Sequence, residues 1–148
     1  MEKKILAVAS VGGHWVQLLR LIPLFNQHNV AYVSTGEHFN TMVHGSYYWI
    51  PDFNRNNIRG LFMATKKLVK IIKEEKPDLV ITTGAAPGLL ALVVAKLMKK
   101  HTIWLDSIAN VERLSMSGRI AMRFCSRVYT QWPELAKGKI VYAGNVIS

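Results

Sequence analysis

Two adjacent glycines and a histidine stand between the first apolar run of the chain and the first amphipathic segment. Gly12, Gly13 and His14 follow the run Lys4–Ala9. Glycines at such a junction let a ligand approach backbone N–H groups at the positive end of a helix, where a diphosphate or a sugar can dock. A neutral imidazole there can act as a base. The alternative is a turn with a capping or packing histidine, and the G-x-G-x-x-G spacing of an NAD site is absent from the sequence.

A second polar segment follows a later apolar run. It carries two carboxylates, Asp106 and Glu112, with the amide of Asn110 and the guanidinium of Arg113. Carboxylates in a loop after a strand are candidates for acid or base catalysis, so Asp106 and Glu112 compete with His14 for the role of base. The amide and the guanidinium are candidates for sugar recognition. Alternatively, these polar groups serve only to satisfy the backbone of their own loop.

Short apolar runs alternate with amphipathic segments along the chain. The pattern predicts strands at Lys4–Ala9, Val30–Ser34, Tyr47–Ile50, Leu79–Thr82, Ile103–Leu105, Val128–Thr130 and Ile140–Tyr142. It predicts helices at His14–Phe25, Ile58–Glu75, Leu89–Lys99 and Gly118–Cys125. Parallel strands need crossover helices, so the alternation favours an α/β fold with a Rossmann-like, doubly wound parallel sheet. With 148 residues, we expect a single domain over residues 1–148.

Ligands of such sheets lie beyond the carboxyl ends of the strands. That rule brings together the loops Ser10–His14, Thr35–His38, Thr83–Gly88 and Asp106–Arg113. Candidate substrate-binding residues on or beside these loops are Gly12, Gly13, Gln17, Glu37, Gly84, Pro87, Gly88, Asn110 and Arg113. Because the other histidines lack metal-ligand spacing, we expect no metal and no cofactor.

The composition narrows the class of protein. Lys and Arg number 19 against nine Asp and Glu, giving a formal charge of +10 that favours an anionic partner. The longest apolar stretch, Gly88–Met98, is too short for the roughly 20 residues of a membrane-spanning helix. The apolar run after Lys4 is also too short for a signal peptide, and a lone Cys125 agrees with a reducing compartment. We therefore expect neither export nor an N-terminal membrane anchor.

The helix predicted at Ile58–Glu75 carries basic and apolar residues side by side. Basic side chains beside an exposed apolar tip are typical of an interfacial membrane contact, and a solvated charged face is the commoner alternative. The candidate membrane-binding residues are Ile58, Arg59, Leu61, Phe62, Lys66 and Lys70. Nucleic acid is a weaker candidate for the anionic partner, because the chain has no recognisable RNA-binding or helix-turn-helix signature.

Several segments together resemble one family over nearly the whole chain. They are Ser10–His14 with Gln17-Leu18, Thr82–Gly88, Trp104–Asp106 with Asn110–Gly118, and Thr130–Leu135. In these segments the chain resembles bacterial exopolysaccharide and capsule glycosyltransferase subunits. Those subunits are related to the eukaryotic membrane-recruiting subunit of dolichol-linked N-acetylglucosaminyltransferase.

The resemblance implies the N-terminal half of a GT-B enzyme split at its interdomain hinge, similar to the single-chain enzyme that adds N-acetylglucosamine to lipid I. It implies an inverting transfer from a UDP-sugar, shared with a donor-binding partner subunit, to a lipid-diphosphate-linked sugar. The chain would then act in the cytoplasm, peripherally on the inner face of the cell membrane, with His14 facing the cleft. The alternative is a non-catalytic scaffold that recruits the transferase. Leu89–Met98 and the segment through Val146 are the candidate docking surfaces for the partner.

Overall fold

A single parallel sheet organises the protein. The computed structural model describes residues 2–54 and 56–146. Its strands are β1 (Lys4–Ala9), β2 (Asn29–Ser34), β3 (Tyr47–Trp49), β4 (Leu79–Thr82), β5 (His101–Leu105), β6 (Arg127–Thr130) and β7 (Ile140–Tyr142). Within the described residues, all the strand pairings of the sheet are parallel and the order is β3-β2-β1-β4-β5-β6-β7. The predicted α/β fold with a doubly wound parallel sheet is therefore confirmed.

Helices lie on both faces of the sheet. They are α1 (Gly13–Leu19), α2 (Ile22–Phe25), α3 (Ile58–Glu75), α4 (Ala86–Leu97) and α5 (Met116–Ala121), with 3-10 turns at Phe39–Met42 and Pro133–Leu135. Alternate residues of β1 point to opposite faces, as the two-residue period of a strand requires. Leu6 and Val8 pack in the core with α3, α4 and α5. Ile5, Ala7 and Ala9 pack with α1 and α2 on the other face.

The helix predicted at His14–Phe25 is divided into α1 and α2. Pro23 lies near the start of α2, which begins at Ile22. Proline has no N–H to donate, and its ring clashes with the carbonyl group four residues earlier, here that of Leu19. α1 accordingly ends at Leu19. Of the other predicted helices, α3 has the predicted ends. α4 begins at Ala86, before the predicted Leu89, and α5 covers Met116–Ala121 where Gly118–Cys125 was predicted.

A tightly packed ion pair joins α3 to β1. The Glu75 carboxylate lies 2.7 Å from Lys4 Nζ and accepts a 2.7 Å hydrogen bond from the Tyr48 hydroxyl. Burial alone would raise the pKa of Glu75, but the hydrogen bonds from Lys4 and Tyr48 outweigh it and lower that pKa. The hydrogen bond to Glu75, with burial, raises the pKa of Tyr48 to about 12.

The strand order decides which loops meet. β1 lies between β2 and β4, and the order runs from β1 towards β2 and β3 on one side and from β4 towards β7 on the other. This reversal between β1 and β4 is the switch point beside which such sheets bind ligands. The loops that follow β1, β4 and β5 emerge from three neighbouring strands at the same edge. The candidate site is therefore built at this edge.

Candidate active site

His14 is held between the loops that follow β1 and β4. Its Nδ1 lies 3.0 Å from the Thr83 carbonyl oxygen, and the Thr83 hydroxyl donates a 2.6 Å hydrogen bond to the His14 carbonyl. A carbonyl oxygen can only accept, so Nδ1 carries the hydrogen in this contact. In the neutral ring Nε2 is then the acceptor nitrogen, and within the described chain only the Nδ1 contact is seen for this ring. The imidazole is thus fixed in the tautomer in which Nε2 is the nitrogen that can accept a proton.

Gly84 makes room for the imidazole of His14. A Cβ added at Gly84 would lie 2.7 Å from His14 Nδ1 and 2.8 Å from Cε1, and its φ of 129° strains any residue with a side chain. The adjacent Ala85 also has a positive φ, of 21°. Strained backbone of this kind gathers at functional sites. Around Gly12 and Gly13 an added Cβ would meet nothing within 4 Å, so a ligand has access to that turn.

Asp106 lies at the end of β5 and is only 1% exposed. Its Oδ1 accepts from Trp104 Nε1 at 2.9 Å and from the Ser115 hydroxyl at 2.7 Å. Its Oδ2 accepts from Asn110 Nδ2 at 3.1 Å and from the Ser115 backbone N–H at 3.0 Å. Both oxygens of the carboxylate are therefore occupied by protein donors. This geometry favours a role in shaping the loop over the role of general base.

Ser115 connects this carboxylate to α5. Its hydroxyl accepts a 2.9 Å hydrogen bond from the Gly118 N–H while donating to Asp106, so one side chain caps the helix and fixes the loop. A Cβ at Gly118 would lie 2.6 Å from Asp106 Oδ1, so the helix start fits closely over the carboxylate. Ser115 is not among the predicted site residues, although a serine directly before a helix is a recognisable N-cap signal.

A cavity of about 240 Å³ unites His14 with the β4–α4 turn and the loop after β5. Four of the predicted site residues line it: His14, Gly84, Asp106 and Asn110. Residues that were not predicted for the site also line it: Thr83, Trp104, Ser107, Ser115 and Met116. Among the described residues, histidine and carboxylate groups thus share one concave site that can take a polar ligand.

The remaining predicted site residues lie elsewhere. Glu37, Glu112 and Arg113 are exposed and are not among the described residues that line this cavity. Pro87 and Gly88 are buried in the first turn of α4, where a Cβ at Gly88 would lie 2.0 Å from Thr82 Oγ1. Gly88 therefore serves close packing of α4 on β4. Gln17, another predicted substrate-binding residue, is buried behind the cavity wall, and its amide nitrogen donates to the Ser107 hydroxyl at 3.1 Å.

The predicted membrane-binding residues form an exposed surface at the start of α3. Ile58 is 74% exposed and Phe62 66%, with Lys66 Nζ 5.7 Å from the Phe62 ring centroid. Leu61 and Met63 are exposed nearby, and Arg59 and Lys70 add positive charge. None of the helices within residues 2–54 and 56–146 is long and apolar enough to cross a membrane. The same residues contain no group of three or more His, Cys, Asp and Glu side chains that could hold a metal ion.

Comparison with known proteins places the chain in a family. Residues 54–146 match the family described as "Oligosaccharide biosynthesis protein Alg14 like". The chain belongs to this Alg14-like family. The UDP-N-acetylglucosamine transferase subunit ALG14 of Yarrowia lipolytica is 35% identical over 75 residues, which cover 47% of this chain and 35% of that protein. The human subunit of the same name is 34% identical over 87 residues, 52% of this chain and 39% of that protein.

The rat subunit of that name aligns with most of the Alg14-like chain, at 26% identity across 97% of it and 82% of the rat protein. The chain spans little more than a third of the Yarrowia and human relatives in their alignments. Among solved structures, MurG of Acinetobacter baumannii superposes with a TM-score of 0.80 at 17% identity, covering 97% of this chain and 46% of MurG. UDP-GlcNAc 2-epimerase of Methanocaldococcus jannaschii gives a TM-score of 0.70 at 13% identity. These structures agree with the GT-B-like Rossmann fold.

Proposed function

We propose that this chain is the acceptor-side half of a two-subunit inverting glycosyltransferase. It would transfer a sugar from a UDP-sugar to a lipid-diphosphate-linked acceptor in bacterial exopolysaccharide or capsule synthesis. The observation that carries the proposal is the cavity in which His14 presents a free acceptor nitrogen beside the open Gly12-Gly13 turn. The names of the relatives, each a UDP-N-acetylglucosamine transferase subunit, support the reaction class.

In the proposed reaction His14 Nε2 takes the proton of the acceptor hydroxyl. The oxygen forms its new bond to the anomeric carbon of the UDP-sugar, while the bond from that carbon to the diphosphate oxygen breaks and UDP leaves with the electron pair. The contact between Nδ1 and the Thr83 carbonyl is kept when the ring takes the proton, because Nδ1 carries a hydrogen in both forms of the ring. Asp106 acts by holding the loop that closes the cavity. Glu112, the third candidate base, is exposed and is not among the described residues that line the cavity.

The backbone of the two glycine-containing turns is suited to a diphosphate. Gly12 and Gly84 have φ values of 86° and 129°, which turn the chain sharply beside His14. α4 begins at Ala86, and the first N–H groups of a helix favour negative charge. The proposal assigns the diphosphate of the acceptor to this edge, with Asn110 from the loop after β5 on the sugar.

The donor-binding partner would dock where the sheet lacks a helix. An apolar cavity of about 610 Å³ lies over β4, β5 and β6 on the face that carries α1 and α2. Leu21, Leu24, Ile103 and Leu105 line it, and the segment 143–146 forms one wall. Apolar surface of this size on a small domain is typical of an interface. We refer to this cavity as the partner seat.

The experiment that tests the proposal is reconstitution with the protein encoded beside this chain, assayed over a panel of UDP-sugars. His14→Ala should lower turnover by about 10²–10⁴-fold, because a positioned base supplies that factor, and should leave partner affinity unchanged. His101→Ala, at an exposed position on β5, is the matched control and should keep full turnover. Unchanged turnover of His14→Ala would reject the assignment. Sugar transfer by the purified single chain would reject the two-subunit proposal.

A second candidate function is a scaffold that recruits the transferase to the inner face of the cell membrane without supplying a catalytic group. The exposed Ile58 and Phe62 beside basic α3 residues favour it. Full turnover by the partner alone in detergent would support the scaffold over catalysis. In flotation with anionic vesicles, the double variant Ile58→Ser, Phe62→Ser should lose binding, because it removes the apolar side chains that would be buried in the membrane. The nearby lysines, at about 1 kcal/mol each, remain but do not replace that burial. Leu97→Ser, 79% exposed on α4, is the control that should still float.

A further inference from the structure

Two buried glutamine side chains join three separate segments behind the cavity wall. Gln131 is completely buried, and Gln17 is 8% exposed. The amide nitrogen of Gln131 donates to Gln17 Oε1 at 2.7 Å and to the Asp106 carbonyl at 2.9 Å. Its amide oxygen accepts from the Val146 N–H at 2.9 Å. Gln17 Oε1 accepts in addition from the Ile108 N–H at 3.1 Å.

The surrounding backbone fixes the orientation of both amides. A backbone N–H can only donate and a backbone carbonyl can only accept. The N–H groups of Val146 and Ile108 therefore require an oxygen, and the Asp106 carbonyl requires the nitrogen of Gln131. The nitrogen of Gln17 is then free to donate to the Ser107 hydroxyl at 3.1 Å. Reversing either amide would place an amide NH₂ group against a backbone N–H, and for Gln131 also an amide oxygen against a backbone carbonyl. The two side chains therefore act as one unit.

This pair reaches the partner seat and the cavity that contains His14. Val146 and Gln131 line the partner seat. Asp106 and Ser107 line the cavity that contains His14. Gln17 lies one helical turn beyond His14 on α1, so the same helix carries the proposed base and one of the two glutamines. From residues 143–146, a hydrogen-bonded route to the cavity wall runs from the Val146 N–H through Gln131 to the Asp106 carbonyl.

We propose that Gln131 is a positioning residue that couples the seating of the partner on residues 143–146 to the loop 106–110 of the acceptor cavity. The identity of the partner and of the acceptor rests on the proposed function, whereas the coupling itself rests on the bonding just described. An apolar side chain of the same size would be cheaper to bury than an amide. The amide is useful here because it holds two segments without regular structure in one arrangement.

Two substitutions separate the two ends of the Gln131 amide. Its oxygen, which accepts from Val146, is the terminal arm, and its nitrogen, which donates to Asp106 and Gln17, is the loop arm. Gln131→Glu keeps an oxygen towards Val146 but places an acceptor against the Asp106 carbonyl and Gln17 Oε1. If Gln17 turns its amide to compensate, the Ile108 N–H loses its acceptor, so the loop arm is lost in either case. Gln131→Met keeps the volume and loses both arms, because the Val146 N–H loses its acceptor and Gln17 Oε1 loses the Gln131 donor that holds it against the Ile108 N–H. Gln27→Met, at an exposed position, is the matched control.

The measurement is amide hydrogen exchange of the full chain, followed residue by residue by NMR. Loss of one hydrogen bond should speed exchange by about tenfold. We expect Gln131→Glu to speed exchange at Ile108 alone, and Gln131→Met to speed it at Ile108 and Val146. Unchanged exchange at Leu68 and Ile72 of α3 reports an intact fold. Unchanged exchange at Ile108 in both variants would overturn the positioning assignment. If the buried carboxylate of Gln131→Glu unfolds the chain, the result for Gln131→Met alone decides the question.

Adding the partner tests the coupling. In the wild-type chain, bound partner should slow exchange at Val146 and at Ile108, and in Gln131→Glu it should slow exchange at Val146 only. Equal slowing of Ile108 in both chains would refute the coupling. Absence of sugar transfer alongside the expected exchange pattern would remove the proposed function and leave the positioning role of Gln131 standing.

Discussion

Replacing Asp106 by asparagine removes a charge without changing the shape of the side chain. Each carboxylate oxygen of Asp106 accepts from two donors. An asparagine must place its NH₂ group on one side or the other. On one side it faces Trp104 Nε1–H, and on the other it faces the Ser115 backbone N–H. Neither of these groups can accept a hydrogen bond, so both orientations leave one buried donor unsatisfied.

The size of the effect follows from those bonds. Three retained hydrogen bonds lose the assistance of the charge, about 1 kcal/mol each, and the unsatisfied donor costs about 1–3 kcal/mol. A neutral amide is less costly to bury than a carboxylate, which offsets part of the loss. A net loss of about 2–4 kcal/mol remains, which is a large share of the roughly 5–15 kcal/mol that stabilises a typical domain.

Urea unfolding followed by tryptophan fluorescence measures this loss, since Trp104 is 1% exposed and donates directly to Asp106. Asp106→Asn should lower the midpoint at an unchanged slope. Glu112→Gln is the control from the same segment, and at an exposed position it should stay within about 0.5 kcal/mol of wild type. Wild-type stability of Asp106→Asn would refute the reasoning. If that stable variant were also inactive in the complex, Asp106 would replace His14 as the proposed base.

Three further predictions use other parts of the structure. Gly84→Ala should lower turnover of the complex far more than partner affinity, because its Cβ would lie 2.7 Å from His14 Nδ1; equal kinetics would contradict the packing. Leu68→Ala should cost about 2–5 kcal/mol in urea unfolding, since the side chain is fully buried. Because the pKa of Glu75 is lowered from its usual value of 4.5, the contribution of Glu75 to the free energy of unfolding is present above pH 4.5 and is lost as pH falls through the lowered pKa. Because the pKa of Tyr48 is raised from 10.0 to about 12, its share is present below pH 10 and is lost as pH rises towards 12; Tyr48→Phe should remove that alkaline loss, measured by thermal unfolding across pH.

The strands and the long helices were predictable because their patterns are local. β1 and α3 have the predicted bounds, Lys4–Ala9 and Ile58–Glu75, since a buried strand and an amphipathic helix each carry a clear hydrophobic period. The division of the first helix at Leu19 was missed although Pro23 gave the signal. Proline within an amphipathic pattern outweighs the continuing apolar spacing.

The candidate site was predictable only as a region. The rule for carboxyl ends of parallel strands brought the loops after β1, β4 and β5 together, as the structure does. It also included Glu37 after β2, which is exposed and away from the described lining of the cavity. Such a rule identifies an edge of the sheet, and which side chains reach the cavity depends on loop conformations that have no periodic signal.

Polar side chains at this edge face two demands that sequence patterns do not distinguish. Some must satisfy buried backbone, and others are left to bind a ligand. The distinction lies in how many of their hydrogen-bonding positions the protein already uses. Asp106 accepts from four protein donors, and Gln131 uses both ends of its amide, so both are structural in their bonding. Within residues 2–54 and 56–146, Nδ1 is the ring nitrogen of His14 that makes a hydrogen bond, which fixes the tautomer and leaves Nε2 able to accept a proton. This difference in remaining hydrogen-bonding capacity, more than the type of residue, is why we propose the histidine as the base.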